Sequence, residues 1–397
     1  MFGVPAAQRE LRPWRQAQRS GSRDDRMVDR IEVTIPPFIA DLNVEIPSDV
    51  AENLDSAARA IAALDCSHGP VLAALAGLLL RTESVASSKI EGISASIEDY
   101  ARALHGSRAN ASAISMVAAG QATQGLVGAL NPGSPITLHH LLQAHRTLMA
   151  TEPGELQYAG RVRDIQNWVG GSDHSPRGAL LIPAPPELLG ALLADLMRFT
   201  ARSDLPSLLQ ATIAHAQFET LHPFTDGNGR IGRALINAVL RVRGTTSVVV
   251  VPVASGLIAQ RDAYFAALDA YRDGSLDEIV QLMARAAFIA SEESRKTAAL
   301  LQGLPEQWLD ALGRTRRGSA PVLLLDYLLT HPVISAQDAE EVVGSGTSSM
   351  YAAIDRLHAA GIVRPLTEGK RNQVWGAAAL LDELDDLDIR IQARARG

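Results

Sequence analysis

The sequence predicts a mainly α-helical protein with one β-hairpin near its centre and a winged helix-turn-helix at its C-terminal end. Three observations support this fold class. Apolar residues recur at helical spacing from 31 to about 115, and again through most of 187–303. Turn-forming residues divide the segment 158–186 into two short β-prone runs. The segment 320–376 has the pattern helix, helix, helix, hairpin, which is typical of a winged helix-turn-helix.

Composition shifts divide the chain into five predicted segments. Residues 1–30 mix Arg and Asp with few apolar side chains, so we expect a mobile N-terminal arm. A helical region is predicted over 31–125, and a larger helical core over 126–303. Residues 304–319, which end in the run "GRTRRGS", are predicted to be a linker, and a winged-helix-like domain follows over 320–397.

Individual elements can be predicted in chain order. The stretch "PVLAALAGLLLRTESVASSKIEG" predicts one long helix, with Gly92 as its C-terminal stop. In the central hairpin, "RVRDIQNWV" and "RGALLIP" are the predicted strands, and "GGSDHSP" supplies the turn. The run "VVVVPV" at 248–253 is apolar and β-branched but isolated, so we interpret it as a buried connection.

The bulk composition is that of an ordinary globular protein. The 397 residues are 47% hydrophobic and 20% charged, with a formal net charge of −7. An acidic balance argues against sequence-independent nucleic-acid binding as the main activity, because neutralising phosphates needs basic residues. Cys66 is the only cysteine, which excludes an internal disulfide and fits a reducing cytosol.

The sequence also argues against a membrane location. The N-terminal residues lack the apolar stretch of a signal peptide. The longest apolar run, at 70–80, is far shorter than the roughly 18 residues that a membrane span needs. We therefore expect a cytoplasmic protein that has no membrane partner.

One twelve-residue segment, "HPFTDGNGRIGR" at 222–233, concentrates the residues with chemical potential. It contains a formal match to G-x-G-x-x-G, a fingerprint that in a Rossmann fold must follow a strand and open a helix. The preceding residues, "PSLLQATIAHAQFETL", instead keep a helical spacing, with Leu209, Ile213 and Ala216 on one face. No βαβ pattern surrounds the glycines, so the sequence argues against a Rossmann turn.

The same segment predicts a turn that leads into the N-terminus of a helix. Free N–H groups there form an anion site, and the glycines let a phosphate approach the main chain. Arg230 and Arg233 would add charged forks that suit phosphate oxygens. The helix is predicted to have an apolar face and a polar face, formed respectively by Ile231, Leu235, Val239 and Val242 and by Arg230, Arg233, Asn237 and Arg241.

Two residues ahead of the glycines complete this chemical interpretation. Asp226 would repel a polyphosphate unless a metal lay between them, and Mg²⁺ commonly takes one carboxylate together with substrate phosphates. His222 is a natural general base, because its unperturbed pKa is about 6.5. Each residue alone has an ordinary explanation as a helix end, a turn or a solvated face. Their joint occurrence at fixed spacing favours the functional interpretation.

Other histidines allow competing interpretations. Glu219 and His222 form a Glu-x-x-His pair of the kind found in di-iron bundles. Such sites need a second pair and two further glutamates, and the sequence contains no second pair. His139, His140 and His145 lie on the helix before the hairpin, where core or surface histidines are more common than metal ligands.

At every defined position, "HPFTDGNGRIGR" resembles the signature of the Fic family, H-x-F-x-[DE]-G-N-G-R-x-x-R. The likeness runs from 31 to about 294, through "IPPFIADL", "HAQFETLHPF" and "GRVRDIQNWVGG…LIPAPP". The resemblance implies a Fic-type helical core with a β-hairpin flap. It also implies an enzyme that uses ATP and Mg²⁺ to move AMP to a tyrosine, threonine or serine hydroxyl of a target protein. That target would dock at the flap, residues 161–183.

The resemblance implies a role for each residue of the signature. His222 would deprotonate the target hydroxyl, Asp226 would hold Mg²⁺, and Phe224 would be a buried anchor. Arg230 would contact the phosphates and Arg233 the γ-phosphate. The other implied nucleotide-binding positions are Gly227, Asn228 and Gly229, which would cradle the α- and β-phosphates, then Ile231 and Gly232 of the signature, and Tyr264 beside the adenine.

A second motif, "SSKIEG" at 87–92, precedes the signature. By itself it is explained as a charged helix end, with Ser87 and Glu91 on one face and Gly92 as the stop. It also resembles the inhibitory pattern of the Fic family, [ST]-x-x-x-E-[GN]. That resemblance implies a self-inhibited enzyme in which Glu91 pairs with Arg233, the arginine that should hold the γ-phosphate.

The C-terminal segment gives only weak support for DNA binding. Between 320 and 376 there are four basic and six acidic residues. The predicted recognition helix, 347–360, carries Arg356 as its only Arg or Lys, while Lys370 and Arg371 lie at the wing tip. We therefore expect protein docking or homodimer formation rather than DNA binding by this segment. Two alternatives stay open: a nucleotide-sensing DNA-binding regulator, and an enzyme that transfers UMP or a phosphate.

Overall fold

The computed structural model describes residues 2–16, 20–66, 72–106, 110–344, 346–367 and 373–397. The chain divides into two compact units, each built from three separate segments. The first unit comprises Met1–Ala58, Ala122–Thr245 and Gln260–Arg285, and the second comprises Arg59–Gln121, Thr246–Ala259 and Ala286–Gly397. This division differs from the linear series of domains expected from the sequence, because the last part of the predicted core belongs to the second unit.

The structure is mainly helical, as predicted, with two small sheets. In the described residues the elements run in the following order: β1 (Gln8–Pro13), α1 (Arg23–Arg26), β2 (Arg30–Ile35), α2 (Ser48–Cys66), α3 (Leu72–Ile90), α4 (Ile97–Leu104), α5 (Ala111–Gly128), α6 (Leu138–Met149), α7 (Pro186–Thr200), α8 (Ser207–Leu221), α9 (Asn228–Val242), α10 (Val253–Ala259), α11 (Arg261–Arg272), α12 (Asp277–Leu312), α13 (Ala320–Thr330), β3 (Val333–Ser335), α14 (Ala336–Val343), α15 (Thr347–Ala359), β4 (Val363–Pro365), β5 (Val374–Ala377) and α16 (Ala378–Arg396).

The expectation of a mobile arm over 1–30 is wrong for much of that segment. Strand β1 pairs antiparallel with β2, so that Gln8 lies opposite Ile35 and Pro13 opposite Arg30. The short helix α1 between them begins with a capping box, in which the side chains of Ser22 and Asp25 satisfy each other's N–H groups. Hydrogen bonding to a partner strand and a local cap, rather than apolar content, orders these residues.

Helices α8 and α9 form the centre of the first unit, and residues 208–221 of α8 are all buried. A helix that is apolar or buried on every side belongs to a core. The two helices approach closely at Gly232, where an added Cβ would lie 2.5 Å from Oε1 of Glu219. This packing fixes the ends of both helices, and therefore fixes the loop that joins them.

Both faces predicted for α9 are largely buried. The apolar face is buried, as expected. On the polar face Arg230, Arg233 and Asn237 are at most 5% exposed, and Arg241 is half-buried. Periodicity identified two chemically distinct faces, but it could not show that the basic face points into the protein instead of into solvent.

The predicted β-hairpin at 161–183 is not formed by regular strands. Within this described segment, the antiparallel pairing is a single bridge between Val169 and Leu181. Side chains take the place of a strand ladder: the amide of Gln166 donates to the carbonyl of Pro183 at 2.9 Å, and that of Asn167 to the carbonyl of Phe224 at 2.9 Å. We call residues 161–183 the flap, and it is a loop held by side chains.

In the second unit, α3 ends at Ile90 and Gly92 follows in the left-handed region, with φ of 77°. The run at 248–253 is a largely buried connection, as predicted. Asp65 holds its start, because the carboxylate accepts the N–H groups of Val248 and Val249, each at 3.0 Å. Glu83 of α3 accepts the N–H of Ala254 at 2.8 Å, which attaches α10 to α3.

The C-terminal elements follow the predicted order of three helices and a hairpin, and β3, β5 and β4 form an antiparallel sheet in the order β3-β5-β4. A winged helix-turn-helix stays our interpretation of this order. The linker predicted at 304–319 is wrong over 304–312, because α12 continues through Pro305 to Leu312. Lys370 and Arg371, the expected wing tip, lie outside the described residues.

Helix α16 was not predicted. It packs on α3 and α10 within the second unit, and it buries Leu380, Leu384, Leu387 and Ile391. These positions keep a helical spacing, so the periodic signal was present in the sequence. The aspartates and arginine among them obscured it. No helix in the described part of the chain has the length and apolar content that crossing a membrane requires.

Candidate active site

The signature residues form a loop between the end of α8 and the start of α9. His222 follows α8 directly and has φ of 47° and ψ of 58°. It is the one residue other than glycine with positive φ in the described residues. A left-handed conformation costs a non-glycine residue about 1–2 kcal/mol, so surrounding contacts must hold it. The turn points the chain away from the α8 axis and opens the loop.

Arg163 of the flap supplies those contacts. Its Nε donates to the carbonyl of His222 at 2.8 Å, and its Nη2 donates to the carbonyl of Leu221 at 3.4 Å. The same guanidinium donates to the carbonyl of Ile165 on the flap at 3.0 Å and to that of Ala184, just after the flap, at 2.6 Å. Burial lowers the pKa of Arg163 to about 10. Sequence analysis missed this residue, since no local pattern distinguishes a buried arginine from the exposed arginines around it.

A pair of hydrogen bonds closes the loop around Phe224. Its N–H donates to Oδ1 of Asn228 at 2.8 Å, and Nδ2 of Asn228 donates back to the carbonyl of Phe224 at 2.9 Å. The phenyl ring is fully buried, as expected of an anchor. The Asn228 side chain is therefore engaged in shaping the loop, whereas the family resemblance implied a phosphate contact for it.

His145 of α6 packs against the loop between α8 and α9. The sequence did not predict this contact. Its ring stacks on Phe224 with centroids 3.8 Å apart. Nδ1 accepts the N–H of Gly160 at 3.0 Å, which leaves the proton on Nε2 to donate to the carbonyl of Asp226 at 3.1 Å. Burial lowers the pKa of His145 to about 4, so the ring is neutral at physiological pH. His145 is thus a core histidine, as we expected, and it positions the main chain of the site.

Gly227 is the N-cap of α9 and has φ of 75°. An added Cβ would lie 2.8 Å from Cδ2 of Leu148, so the glycine is needed both for its conformation and for space. Its N–H donates to Oδ1 of Asp226 at 2.6 Å. The loop thus presents the start of α9, with its helix dipole, beside a carboxylate.

Asp226 has the surroundings of a carboxylate that shares a metal with a ligand. Its side chain is 58% exposed, and Oδ2 lies 3.7 Å from Nη2 of Arg230. The described residues contain no group of three or more side chains that could enclose a metal ion. Mg²⁺ that is bound mainly by substrate phosphates needs only one or two carboxylates. The donor set therefore fits a phosphate-bound Mg²⁺ and does not fit an all-protein metal cage.

Arg230 and Arg233 lie in the first two turns of α9, 5% and 1% exposed. Guanidinium groups near a helix N-terminus are donors that suit the oxygens of an anion. Ile231 and Gly232, which we also placed among the nucleotide-binding residues, serve packing: Ile231 is buried in the core and Gly232 contacts α8. Their direct contact with a nucleotide stays a prediction.

Tyr264 lies on α11, and its side chain has no exposed surface. Its hydroxyl is 2.8 Å from Nε2 of His215, and the two rings stack with centroids 5.9 Å apart. Contact with an adenine, as the resemblance implied, would require this pair to rearrange. The structure assigns Tyr264 to the packing between α8 and α11.

The residues of the second motif belong to the second unit. Ser87 is buried on α3, and Glu91 is exposed in the turn that directly follows the helix. The N–H of Glu91 donates to the carbonyl of Ser88 at 3.0 Å. Lys89, within the same motif, forms an ion pair of 3.1 Å with Asp388 of α16. Glu91 therefore lies one residue beyond the helix on which we placed it, and its pairing with Arg233 stays a prediction.

Comparison with known proteins agrees with the signature. Residues 135–240 match the model of the Fic/DOC family. A protein adenylyltransferase, fic-1, of Caenorhabditis elegans is 30% identical over 154 residues, which are 38% of this chain and 27% of that protein. A probable protein adenylyltransferase of Aquifex aeolicus is 30% identical over 106 residues, or 26% of this chain and 31% of the relative. The chain thus spans about a third or less of these relatives.

Solved structures share the fold at low sequence identity. A Fic family protein from Desulfovibrio desulfuricans has a TM-score of 0.52 at 18% identity, over 84% of this chain and 97% of that one. A fic-1 fragment from C. elegans has a TM-score of 0.52 at 19% identity, over 64% and 74% of the two chains. Together with the matched family model, these structures support a Fic/DOC-family domain that contains the loop at 222–233.

Proposed function

We propose that this chain is a protein adenylyltransferase, which moves AMP from Mg·ATP to a tyrosine, threonine or serine hydroxyl of a target protein. The observation that carries the proposal is the position of His222 in a left-handed turn, five residues before Gly227, the N-cap of α9. A base beside an anion site is the arrangement that nucleotidyl transfer needs. The two sequence relatives, a protein adenylyltransferase and a probable one, support the same activity.

Each part of the site has a step in this reaction. The start of α9, with Arg230 and Arg233, holds the phosphates of ATP. The imidazole of His222 accepts the proton of the target hydroxyl, whose oxygen forms a bond to the α-phosphorus. The bond from the α-phosphorus to the bridging oxygen breaks, and pyrophosphate leaves with that electron pair. Positioning and charge stabilisation provide most of the acceleration in such transfers.

Asp226 would hold Mg²⁺ together with the phosphates. The bound ion would supply neutralisation of phosphate charge. The side chain is exposed at the entrance of α9, so the carboxylate can meet a ligand without rearrangement of the core.

The proposal is tested by His222→Ala, with His139→Ala as the control, because His139 is an exposed histidine in the same unit. We expect His222→Ala to reduce transfer of label from α-labelled ATP to protein by about 10²-fold or more, since a positioned base contributes about 10²–10⁴-fold. The affinity for Mg·ATP should change by less than about threefold. Full transfer by His222→Ala would remove the base assignment.

We propose self-inhibition for the same site: Glu91 holds the Arg233 guanidinium and keeps it from the γ-phosphate. The support is the "SSKIEG" pattern and its order before the signature. The nucleotide itself is a separate choice, because the signature does not name the base. Label from α-labelled UTP, or from γ-labelled ATP, would identify transfer of UMP or of a phosphate instead.

For the C-terminal elements we propose protein docking or homodimer formation. One observation counts against DNA readout: Arg356, on the predicted recognition helix α15, donates to the carbonyls of Leu312 and Arg314 at 3.1 and 2.9 Å. The Arg356 guanidinium therefore holds the loop that follows α12. A cytoplasmic location is proposed as well, supported by the lone Cys66.

A further inference from the structure

The turn of the flap is attached to the N-terminal segment by a buried carboxylate. Asp25 of α1 is 3% exposed. Its Oδ1 accepts the hydroxyl of Ser175 at 2.8 Å and Nε of Arg177 at 3.2 Å, both from the flap. Its Oδ2 accepts the N–H and the hydroxyl of Ser22, at 2.8 and 2.6 Å. Hydrogen bonds from Ser22, and then from the flap serines, hold the pKa of Asp25 well below its usual range.

Further contacts join the same two segments. Nε2 of Gln16 donates to the carbonyl of His174 at 2.7 Å. The rings of Trp14 and Trp168 pack edge to face, with centroids 6.3 Å apart. We call the described residues 14–16 and 20–25 the brace. It contacts the flap at its first strand-like run, at its turn and just after the turn.

The flap needs such support because it lacks a strand ladder. A single bridge joins its two runs, and the adjacent Gly170 and Gly171, both at positive φ, give the main chain more conformational freedom because they have no Cβ. Beyond the turn, the flap is hydrogen-bonded to β2, because the N–H of Thr34 donates to the carbonyl of Ile182 at 2.7 Å. The shape of the flap is therefore set from the N-terminal side by β2 and by the brace.

We propose that the brace is a positioning element for target docking, with Asp25 as its central residue. A surface that is ordered before binding loses less conformational entropy when it binds. By fixing the flap turn, the brace presents the flap to a target protein in one shape. This inference rests on the proposed adenylyltransferase function, and it assigns the N-terminal residues a part in recognising the target.

The test compares Asp25→Asn with Asp24→Asn. The two aspartates are adjacent in α1, but Asp24 is exposed. Asparagine keeps the size of the Asp25 side chain but replaces one accepting oxygen with an N–H₂ group. That group is a donor, so it cannot accept the hydrogen bonds from Ser22 or from the flap. The first measurement is amide hydrogen exchange over 168–177. We expect exchange in Asp25→Asn to be at least about tenfold faster than in Asp24→Asn, because local protection depends on these contacts.

The second measurement is labelling of extract proteins with α-labelled ATP, at rising extract concentration, in a Glu91→Gly background. We expect Asp25→Asn to raise the extract concentration for half-maximal labelling by about tenfold, while maximal rate and Mg·ATP affinity stay within about twofold. A merely structural role would also lower the maximal rate and the Mg·ATP affinity, and that result would overturn the positioning role. Gln16→Ala should change the half-maximal concentration in the same direction, and it provides the test if Asp25→Asn does not fold.

The outcomes separate the two proposals. Unchanged exchange in both brace variants, or faster exchange with unchanged half-maximal concentration, overturns the role of the brace. If Asp24→Asn, folded and binding Mg·ATP, transfers no label to any protein, the adenylyltransferase proposal fails, and the role in docking fails with it. Faster exchange with a selectively raised half-maximal concentration supports both.

Discussion

At the scale of single residues, the site depends on side chains that hold main-chain atoms. Arg163 holds the carbonyl of His222, the Asn228 amide closes the loop around Phe224, and His145 holds the carbonyl of Asp226. None of these three supports is a reagent in the proposed reaction. They hold the left-handed turn at His222 and the glycine cap of α9 in place.

Arg163→Lys should show how much the turn depends on the guanidinium. A lysine keeps the charge but has one ammonium, which cannot reach carbonyls of His222, Ile165 and Ala184 together. We expect transfer to fall by about tenfold or more, because small displacements of a base can cost about 10²-fold. Mg·ATP affinity should stay within about threefold. The control is Arg161→Lys, an exposed flap arginine; equal rates in the two variants would contradict a positioning role.

His145 should make the fold sensitive to mild acid. An unfolded histidine titrates at about 6.5 and the folded one at about 4, so the folded protein resists protonation between these values. The stabilisation is complete above pH about 6.5 and is lost as the pH falls toward about 4, a change of about 3 kcal/mol in the free energy of unfolding.

Urea denaturation at pH about 7 and about 4.5 measures this loss. Carboxylates elsewhere also titrate in this range, so the comparison is between variants. Wild type and His139→Asn should each lose about 2–3 kcal/mol more on acidification than His145→Asn, which has no ring to protonate. The same loss in all three proteins would mean that His145 does not titrate in this window.

At the scale of elements, the candidate site residues are positioned by where helices end, and less by how long the helices are. His222 is the C-cap of α8, Gly227 is the N-cap of α9, and Glu91 directly follows α3. Each of these three residues lies where the regular main-chain hydrogen bonds of a helix stop. The proposed inhibition depends on the last of them.

Glu91→Gly should raise transfer by about tenfold to a hundredfold. Glu91 is exposed in the turn after α3, so an ion pair that it forms is weaker than a fully buried pair. Raising the competent fraction of the protein from about 1% to nearly all would require roughly 3 kcal/mol. A pair with an exposed carboxylate contributes less free energy than that. Ser87→Ala should raise transfer less, because a neutral hydrogen bond contributes about 0.5–1.5 kcal/mol.

The rate of labelled AMP incorporation decides this prediction. The double variant Glu91→Gly with Arg233→Ala should return to the wild-type rate or below it, because the released arginine is absent. If Glu91→Gly is no faster than wild type, "SSKIEG" is a helix end without an inhibitory role.

At the scale of the whole molecule, the second unit contains both the "SSKIEG" motif and the C-terminal residues. Helix α16 packs on α3, and the Lys89–Asp388 pair joins α16 to the motif itself. The C-terminal elements are therefore in a position to influence how firmly the end of α3 is held.

If the proposed self-inhibition holds, Asp388→Asn should raise transfer slightly. The ion pair is partly exposed, 34% at Lys89 and 12% at Asp388, so its contribution is about 0.5–1 kcal/mol. We expect transfer to rise about two- to fivefold, which that energy corresponds to. The control is Asp386→Asn, an exposed aspartate on the same helix. A rise of equal size in the control would indicate a general charge effect instead of release of α3.

The sequence by itself determined the helical fold class, the end of α8 at His222, the turn before α9 and the stop at Gly92, because each depends on periodicity or on a residue with a special backbone conformation. Such signals are local and are read within one or two helical turns. The hydrophobic spacing of α16 was equally local, and it was missed among charged residues.

Only the tertiary structure decided the rest. It turned the predicted hairpin into a loop held by side chains, ordered residues 8–13 as a strand, and buried the polar face of α9. It also selected Arg163, His145 and Asp25 among many residues of the same types. Each of them has partners that are distant in the chain, at separations of 15 to 152 residues. A buried polar group must find such a partner to offset its desolvation. Which partner it finds depends on how the elements pack, and no local pattern in the sequence encodes that.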